Sequence, residues 1–301
     1  MDFTPEESQQ AVVGLAAEVL TAADPWIQLA KAGLLSLGVM DTATLLTEIG
    51  RRTPEIAMKA LATVMTGALP VSRWGSDQLK EEILPSVSSG EMVLTAAIRE
   101  APWANEASRI LVPVPAGVAL ADPRSAGIAI TPIPTSSGYP AFLVQMNHTQ
   151  PDDLLGGPEC ARDLEDLAVA GACALIDGAV AGALALTRDH VATRRQFGRP
   201  LAEFQAVSQQ IADVYIASRT MHLATLSSCW RLDTGRDPGA DLRVAGYWCA
   251  EQASQAVRHC HHLHGGLGMD VTYPLHRFSA LVMDLTRYLG GAEYRLECHV
   301  H

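Results

Sequence analysis

The chain has no Cys-x-x-Cys pair, no internal repeat, no low-complexity tract and no basic, apolar leader. Its six cysteines (Cys160, Cys173, Cys229, Cys249, Cys260 and Cys298) are confined to the second half and sit mostly in apolar surroundings. That is the pattern of free, buried thiols rather than of a zinc site or a disulfide scaffold. The opening residues, MDFTPEESQQ, are polar and acidic, so no secretory signal is expected and the expected location is cytoplasmic. Positive charge is scarce: 22 Lys and Arg stand against 33 Asp and Glu, a net charge of -11. Such a surface argues against nucleic acid and against anionic membranes. What is present is a globular composition, 48% hydrophobic and 18% charged over 301 residues, long enough for a sizeable core.

The texture changes twice along the chain. About the first ninety residues read as helical. Thr4 is the expected N-cap, Pro5 fits the first helical position and Glu7 completes a capping box, with Asp24-Pro25 ending the helix. Further helices are expected at about 41–51, 53–69 and 76–88, announced by Thr53-Pro54-Glu55 and Ser76-Asp77. From Glu91 to Asn147 short strand-like runs (ILVPVP, GVALAD, GIAIT, AFLVQM) alternate with turn residues, enough for four to six strands. The stretch 151–159 reads as a linker. Long helices then return. Val207, Ile211, Val214, Ala217, Met221 and Ala224 step by three and four along one face, a loop spans Asp233 to Asp241, and helices follow at about 242–263 and 275–288.

One run, Leu167 to Leu186, has the length of a bilayer span. Asp177 at its centre would be costly in lipid, and Ala170, Ala174, Gly178 and Gly182 form a flat stripe for close helix approach. A buried bundle helix and no membrane is the expectation. The fold class is therefore α+β, mostly α: an N-terminal helical domain (1–90), a small, reduced β domain (91–150) and a C-terminal four-helix bundle (151–301).

His259, Cys260, His261, His262 and His264 invite a metal reading. They are nearly consecutive on an expected helix, so their side chains fan around it rather than converge, and no metal site is expected.

Three segments carry a family resemblance. They are GSDQLKEEILPSVSSGEMVLTAAIRE (Gly75 to Glu100), Arg194-Arg195-Gln196-Phe197-Gly198 with Pro200-Leu201 and Gln205, and His262-Leu263-His264-Gly265-Gly266-Leu267-Gly268 with Tyr273-Pro274 and Asp284. In this order and spacing the chain resembles the acyl-CoA dehydrogenase family over nearly its whole length. The resemblance implies FAD as cofactor. It also implies that Arg194, Gln196, Phe197 and Gln205 reach across to an FAD held mainly by a neighbouring subunit, and that His262, Gly265 and Gly266 touch its diphosphate. The chemistry of the residues agrees: an Arg and an aromatic can clamp phosphate oxygens and cover a ring, and glycines let backbone approach a ligand. Many relatives carry Gln where His262 stands.

The resemblance also exposes a loss. Such enzymes need a carboxylate to take the alpha proton as hydride leaves for the flavin. At the family's usual base position, before Gly290-Gly291-Ala292-Glu293, this chain has Leu289. At the alternative position on the first bundle helix it has Ala168, with Glu165 one helical turn away. The segment that holds the flavin ring reads Ala101-Pro102-Trp103-Ala104-Asn105-Glu106-Ala107-Ser108 in place of a Gly-Ser-Asp pattern, in a β section about half the family's length. No catalytic residue is therefore assigned to this chain.

CHHLHGGLGMDVTYPLHR and the YLGG ending resemble in particular the short subunit of actinobacterial α2β2 steroid acyl-CoA dehydrogenases. That resemblance implies a full-length acyl-CoA dehydrogenase subunit as partner and a steroid side-chain CoA thioester as substrate of the complex. Two other readings stay open at this point: a self-sufficient homo-oligomer using Glu165, and a non-enzymatic scaffold that kept the fold and lost FAD.

Overall fold

The computed structural model describes residues 3–147 and 153–300. The first helix, α1 (Glu7–Val19), begins two residues later than the capping signal at Thr4 suggests. Glu6 is the N-cap: its carboxylate accepts from the backbone of Gln9, whose side chain returns to the Glu6 N–H at 3.0 Å. Gln9 thus closes the reciprocal box that was expected between Thr4 and Glu7. Asp24-Pro25 starts a helix rather than simply ending one. Asp24 Oδ1 accepts from Ile27 N at 3.2 Å and Pro25 is the first residue of α2 (Pro25–Lys31).

Next come α3 (Val39–Arg52), a 3₁₀ turn (Pro54–Ile56), α4 (Ala57–Ala60), a π-helical stretch (Leu61–Ala68), α5 (Leu69–Trp74) and α6 (Asp77–Ser88). Ser76 caps α6, its hydroxyl accepting from Leu79 N at 3.3 Å.

The β section forms two small sheets. In one, β1 (Leu94–Ala96), β3 (Arg109–Val114), β4 (Gly117–Ala121) and β7 (Asp153–Leu155) lie in the order β1-β3-β4-β7. In the other, β2 (Ala101–Pro102), β6 (Ala141–Met146) and β5 (Ile128–Ile133) lie in the order β2-β6-β5. Part of the expected linker is therefore a strand. Val118 pairs with Leu155, and the Leu155 side chain is fully buried in the core beneath that sheet. Residues 151 and 152 of that stretch lie outside the described residues.

The helical part is α7 (Pro158–Thr193), a hairpin of β8 (Arg195–Gln196) and β9 (Arg199–Pro200), α8 (Gln205–Asp233), α9 (Gly239–His264), α10 (Leu275–Tyr288) and α11 (Gly291–Val300). The helices α7 to α10 make the expected bundle, and α11 folds back on α9. The helix α7 is long and apolar enough to cross a membrane, but 89% of its most apolar window is buried inside the protein. Its small-residue stripe meets α3. A Cβ on Gly178 would overlap the Thr47 carbonyl oxygen, and the Thr47 hydroxyl donates to the Ala174 carbonyl at 3.2 Å. Two backbones in contact leave no room for side chains between them, which is why the stripe is Ala and Gly.

All six cysteines are free and five are buried. Burial pushes the Cys160 and Cys260 thiols up to about 11 and Cys229 to about 12. At neutral pH these thiols stay protonated and act as packing groups.

Candidate functional site

Helix α7 runs toward one end of the bundle, α8 returns and α9 runs back. The C-terminal ends of α7 and α9 and the start of α8 therefore meet. His190 and His264 make the join, their rings stacked with centroids 4.4 Å apart and planes 19° from parallel. Tyr273, from the loop before α10, packs on His264 and its hydroxyl lies 3.0 Å from Nε2; Nδ1 lies 2.8 Å from the Cys260 carbonyl. Burial, and then the neighbouring imidazole and Arg194, hold His190 below the usual histidine range; burial does the same at His264. Two neutral rings can stack where two imidazolium ions would repel. The sequence offered no sign of this pair, whose members lie far apart in the chain. The other rings of the histidine-rich run go elsewhere: His261 Nε2 lies 2.5 Å from Ser279 Oγ, and His262 is exposed.

Above this joint stand the seven residues singled out in the sequence, all solvent-exposed. Arg194 ends α7, Gln196 and Phe197 form the hairpin, and Gln205 opens α8. Phe197 (φ 50°) and Gly198 (φ 82°) are the two central residues of the turn, both with the positive φ of a type I′ hairpin. A bulky residue there is strained by about 1 kcal/mol or more. The Phe197 ring is also 91% exposed, touched only at its edge by Phe204 at 6.2 Å. Apart from that edge contact the strained ring is open to solvent.

At the other loop, Gly265 caps α9 with φ 58° and ψ -135°, a backbone region open only to glycine. A Cβ on Gly265 or Gly266 would meet nothing within 4 Å, so the backbone faces open space.

This end fits the diphosphate half of FAD. Among the described residues no carboxylate pairs with Arg194, Arg195 or Arg199; Arg195 donates to the Gly198 carbonyl at 3.2 Å and Arg199 lies over the Phe204 ring, so all three keep a positive charge that phosphate oxygens can meet. It does not fit the ring half. The segment Ala101 to Ser108 buries Ala101, Ala104 and Ala107 against its own small core. Its short polar side chains are only Asn105, exposed, and Ser108, half-buried, in place of a Gly-Ser-Asp pattern along an isoalloxazine edge.

The two base positions lie at the far end of α7. Twenty-six residues separate Ala168 from Arg194, about 39 Å along a straight helix. A dinucleotide's ring and pyrophosphate, joined by one ribityl chain, do not span that distance. Leu289 is fully buried, and its carbonyl accepts from Arg295 Nε at 2.7 Å; Ala168 is buried too. Glu165 and Glu293 both point to solvent.

A polar network joins the β section to α10 close to Leu289 in the chain. Glu100, 3% exposed, accepts from the Tyr139 hydroxyl and from Arg287 Nη1. Asp284 accepts from Ser136 N and Ser137 N, each at 2.8 Å, and from the Ser137 hydroxyl at 2.7 Å. Arg287 Nη2 lies 3.6 Å from Asp284, joining the two halves. Burial beside Glu100 pushes the Tyr139 and Tyr288 hydroxyls far up, so both stay protonated. Sequence reasoning missed this network, because it joins the β section to α10 across more than 140 residues.

Comparison with known proteins agrees with this geometry. The model for the acyl-CoA dehydrogenase C-terminal domain matches residues 167–297, and that for the acyl-CoA dehydrogenase N-terminal domain matches residues 23–91. The chain is 38% identical over 333 aligned residues to acyl-CoA dehydrogenase FadE28 of Mycobacterium tuberculosis, covering 99% of this chain and 97% of that protein. The ChsE4-ChsE5 complex from Mycobacterium tuberculosis superposes with a TM-score of 0.89 at 25% identity, over 99% of this chain and 97% of that one. The steroid ACAD Tcur3481-Tcur3483 gives a TM-score of 0.88 at 26% identity, over 97% and 96%. The chain belongs to the acyl-CoA dehydrogenase family of FAD-dependent oxidoreductases.

Proposed function

We propose that this chain is the short subunit of a heteromeric acyl-CoA dehydrogenase, an α2β2 assembly with a full-length family member. In this reading the partner supplies the proton-accepting carboxylate and the flavin-ring pocket. This chain supplies Arg194, Gln196, Phe197 and Gln205 from the hairpin side, and His262, Gly265 and Gly266 from the α9 cap, to the FAD diphosphate. FAD, when bound, would supply the hydride acceptor for oxidation at the substrate's beta carbon. The arginines neutralise phosphate charge, Phe197 covers the cofactor and excludes water, and the glycine backbone lets the diphosphate come close. Two complete sites, and so two FAD, follow for each tetramer.

One observation carries the reading: the FAD-gripping groups stand bare at one end of α7, while both base positions at the other end are apolar and packed shut. The substrate class, a steroid side-chain CoA thioester, rests on the likeness to the steroid ACAD structure.

The test is co-expression of this chain with a full-length partner from the same genome. Stoichiometric FAD and acyl-CoA oxidation are expected only in the complex. A lone chain that binds one FAD and oxidises acyl-CoA would overturn the assignment. A co-purified complex without flavin absorbance would favour a scaffold. A homo-oligomeric enzyme based on Glu165 would lose its activity in Glu165→Gln.

A further inference from the structure

A cavity of about 210 Å³ lies between α1, α3, α7 and α8, and its lining contains neither base position nor any residue assigned to FAD. It reaches α7 at Asp177, nine residues and about 13 Å beyond Ala168, and seventeen residues and about 26 Å short of Arg194. It is thus separate from both ends described above. Its walls are largely apolar, with Ala43, Leu226 and Trp230 among them. Its polar groups include neutral threonines (Thr44, Thr47, Thr225) and Gln9, together with three carboxylates. Glu6, Glu48 and Asp177 all face the space, and His222 is the one basic side chain in the lining. Glu48 is neutralised from outside by Arg52 at 2.6 Å. Asp177 has only His222, whose Nδ1 lies 2.8 Å from its Oδ2.

Asp177 is a costly residue. It is 3% exposed and sits in a helix otherwise built of Ala, Gly, Leu and Val. Burying a carboxylate costs several kcal/mol unless it is paired; His222 offsets part of that cost through Oδ2, whereas a leucine or alanine at this position would carry none of it. The carboxylate stands instead at the wall of a space larger than the void of about 150 Å³ that suffices to hold benzene. An apolar chamber with an anionic wall selects an apolar molecule carrying a cation.

We propose that this cavity is a small-molecule site for an apolar primary amine of about ten heavy atoms, its ammonium group on Asp177 and its hydrocarbon body against Ala43, Leu226 and Trp230. The site does not depend on how FAD is shared between subunits.

The test uses the purified protein in whatever assembly it is isolated, with benzylamine as probe and ethylbenzene as its uncharged isostere, followed by calorimetry and saturation-transfer NMR. Benzylamine is expected to bind, at least about tenfold more tightly than ethylbenzene. Asp177→Asn should remove that preference. Ala43→Leu, which fills the chamber and leaves the carboxylate in place, should abolish binding of both probes. Should Asp177→Asn fail to fold, the comparison of the two probes and Ala43→Leu still decide. Equal binding of the two probes, no binding of either, or benzylamine binding that survives Ala43→Leu would each overturn the proposal.

Discussion

The two ends of α7 are built on opposite principles. At the hairpin end a phenylalanine is held bare and in a left-handed turn, three arginines have no carboxylate partner, and a glycine backbone faces open space. At the Ala168 end burial dominates: apolar groups are fully buried, Glu100, Asp284 and Arg287 pair with one another, and Arg295 is buried with its Nε on the Leu289 carbonyl. The first end is exposed and strained, and the second is packed. No hole stands at Leu289 or Ala168: both are buried in the core.

The largest expected effect comes from forcing the closed end open. Leu289→Glu forces a carboxylate into a fully buried position and, even with the Arg295 guanidinium alongside, should cost about 3 to 4 kcal/mol in denaturant unfolding. It should give the lone chain no acyl-CoA oxidation; turnover would show that the end is not closed. Next is Arg287→Ala, which strands Glu100 and should cost about 3 kcal/mol by the same measurement, less if solvent reaches the carboxylate through the gap.

At the open end, Arg194→Ala and Phe197→Ala should each weaken FAD retention by the complex about tenfold to a hundredfold, read by flavin fluorescence. The melting temperature of this chain should not fall, because neither side chain packs within it; a drop of several degrees would break the contrast.

Smaller effects separate the ends by pH. His190 and His264 are held below the ordinary histidine value of 6.5. As pH falls below that value the unfolded chain takes up protons first, so stability is lost on acidification through this window. His190→Phe, which keeps a ring in the stack, should flatten that slope. Near the closed end Asp166 behaves oppositely: burial, then Asp163 and Glu165, pushes it up to about 6. Its folded form holds a proton that the unfolded form has lost, so its contribution fades as pH rises from about 4 through 6. Asp166→Asn should gain up to about 1 kcal/mol above pH 6, since the group is partly open to solvent.

The parts that were legible in the sequence are the local ones. The periodic faces of the long helices, the hairpin residues and the small-residue stripe can be read directly, because their causes lie within a few turns of chain. Asp24-Pro25 shows the limit even there: the same pair can end one helix or start the next, and only the Asp24 to Ile27 hydrogen bond decides. The Leu61–Ala68 π-helix has no marker in its residues. The strand at Asp153–Leu155 was hidden because its reason is the partner β4 rather than its own composition. The Glu100–Arg287 network, the His190–His264 stack and the Asp177–His222 pair are products of folding between distant segments, and no spacing rule reaches them.

The length of α7 carries a constraint of its own. One unbroken helix of 36 residues links the glycine seat on α3 to the hairpin tip. Adding or removing one residue between Gly178 and Arg194 would advance the tip by about 1.5 Å and turn it by about 100°. Substitutions along this stretch can drift, but its length cannot. The helix works as an indexed shaft, and its phase, rather than the identity of most of its side chains, aims Phe197.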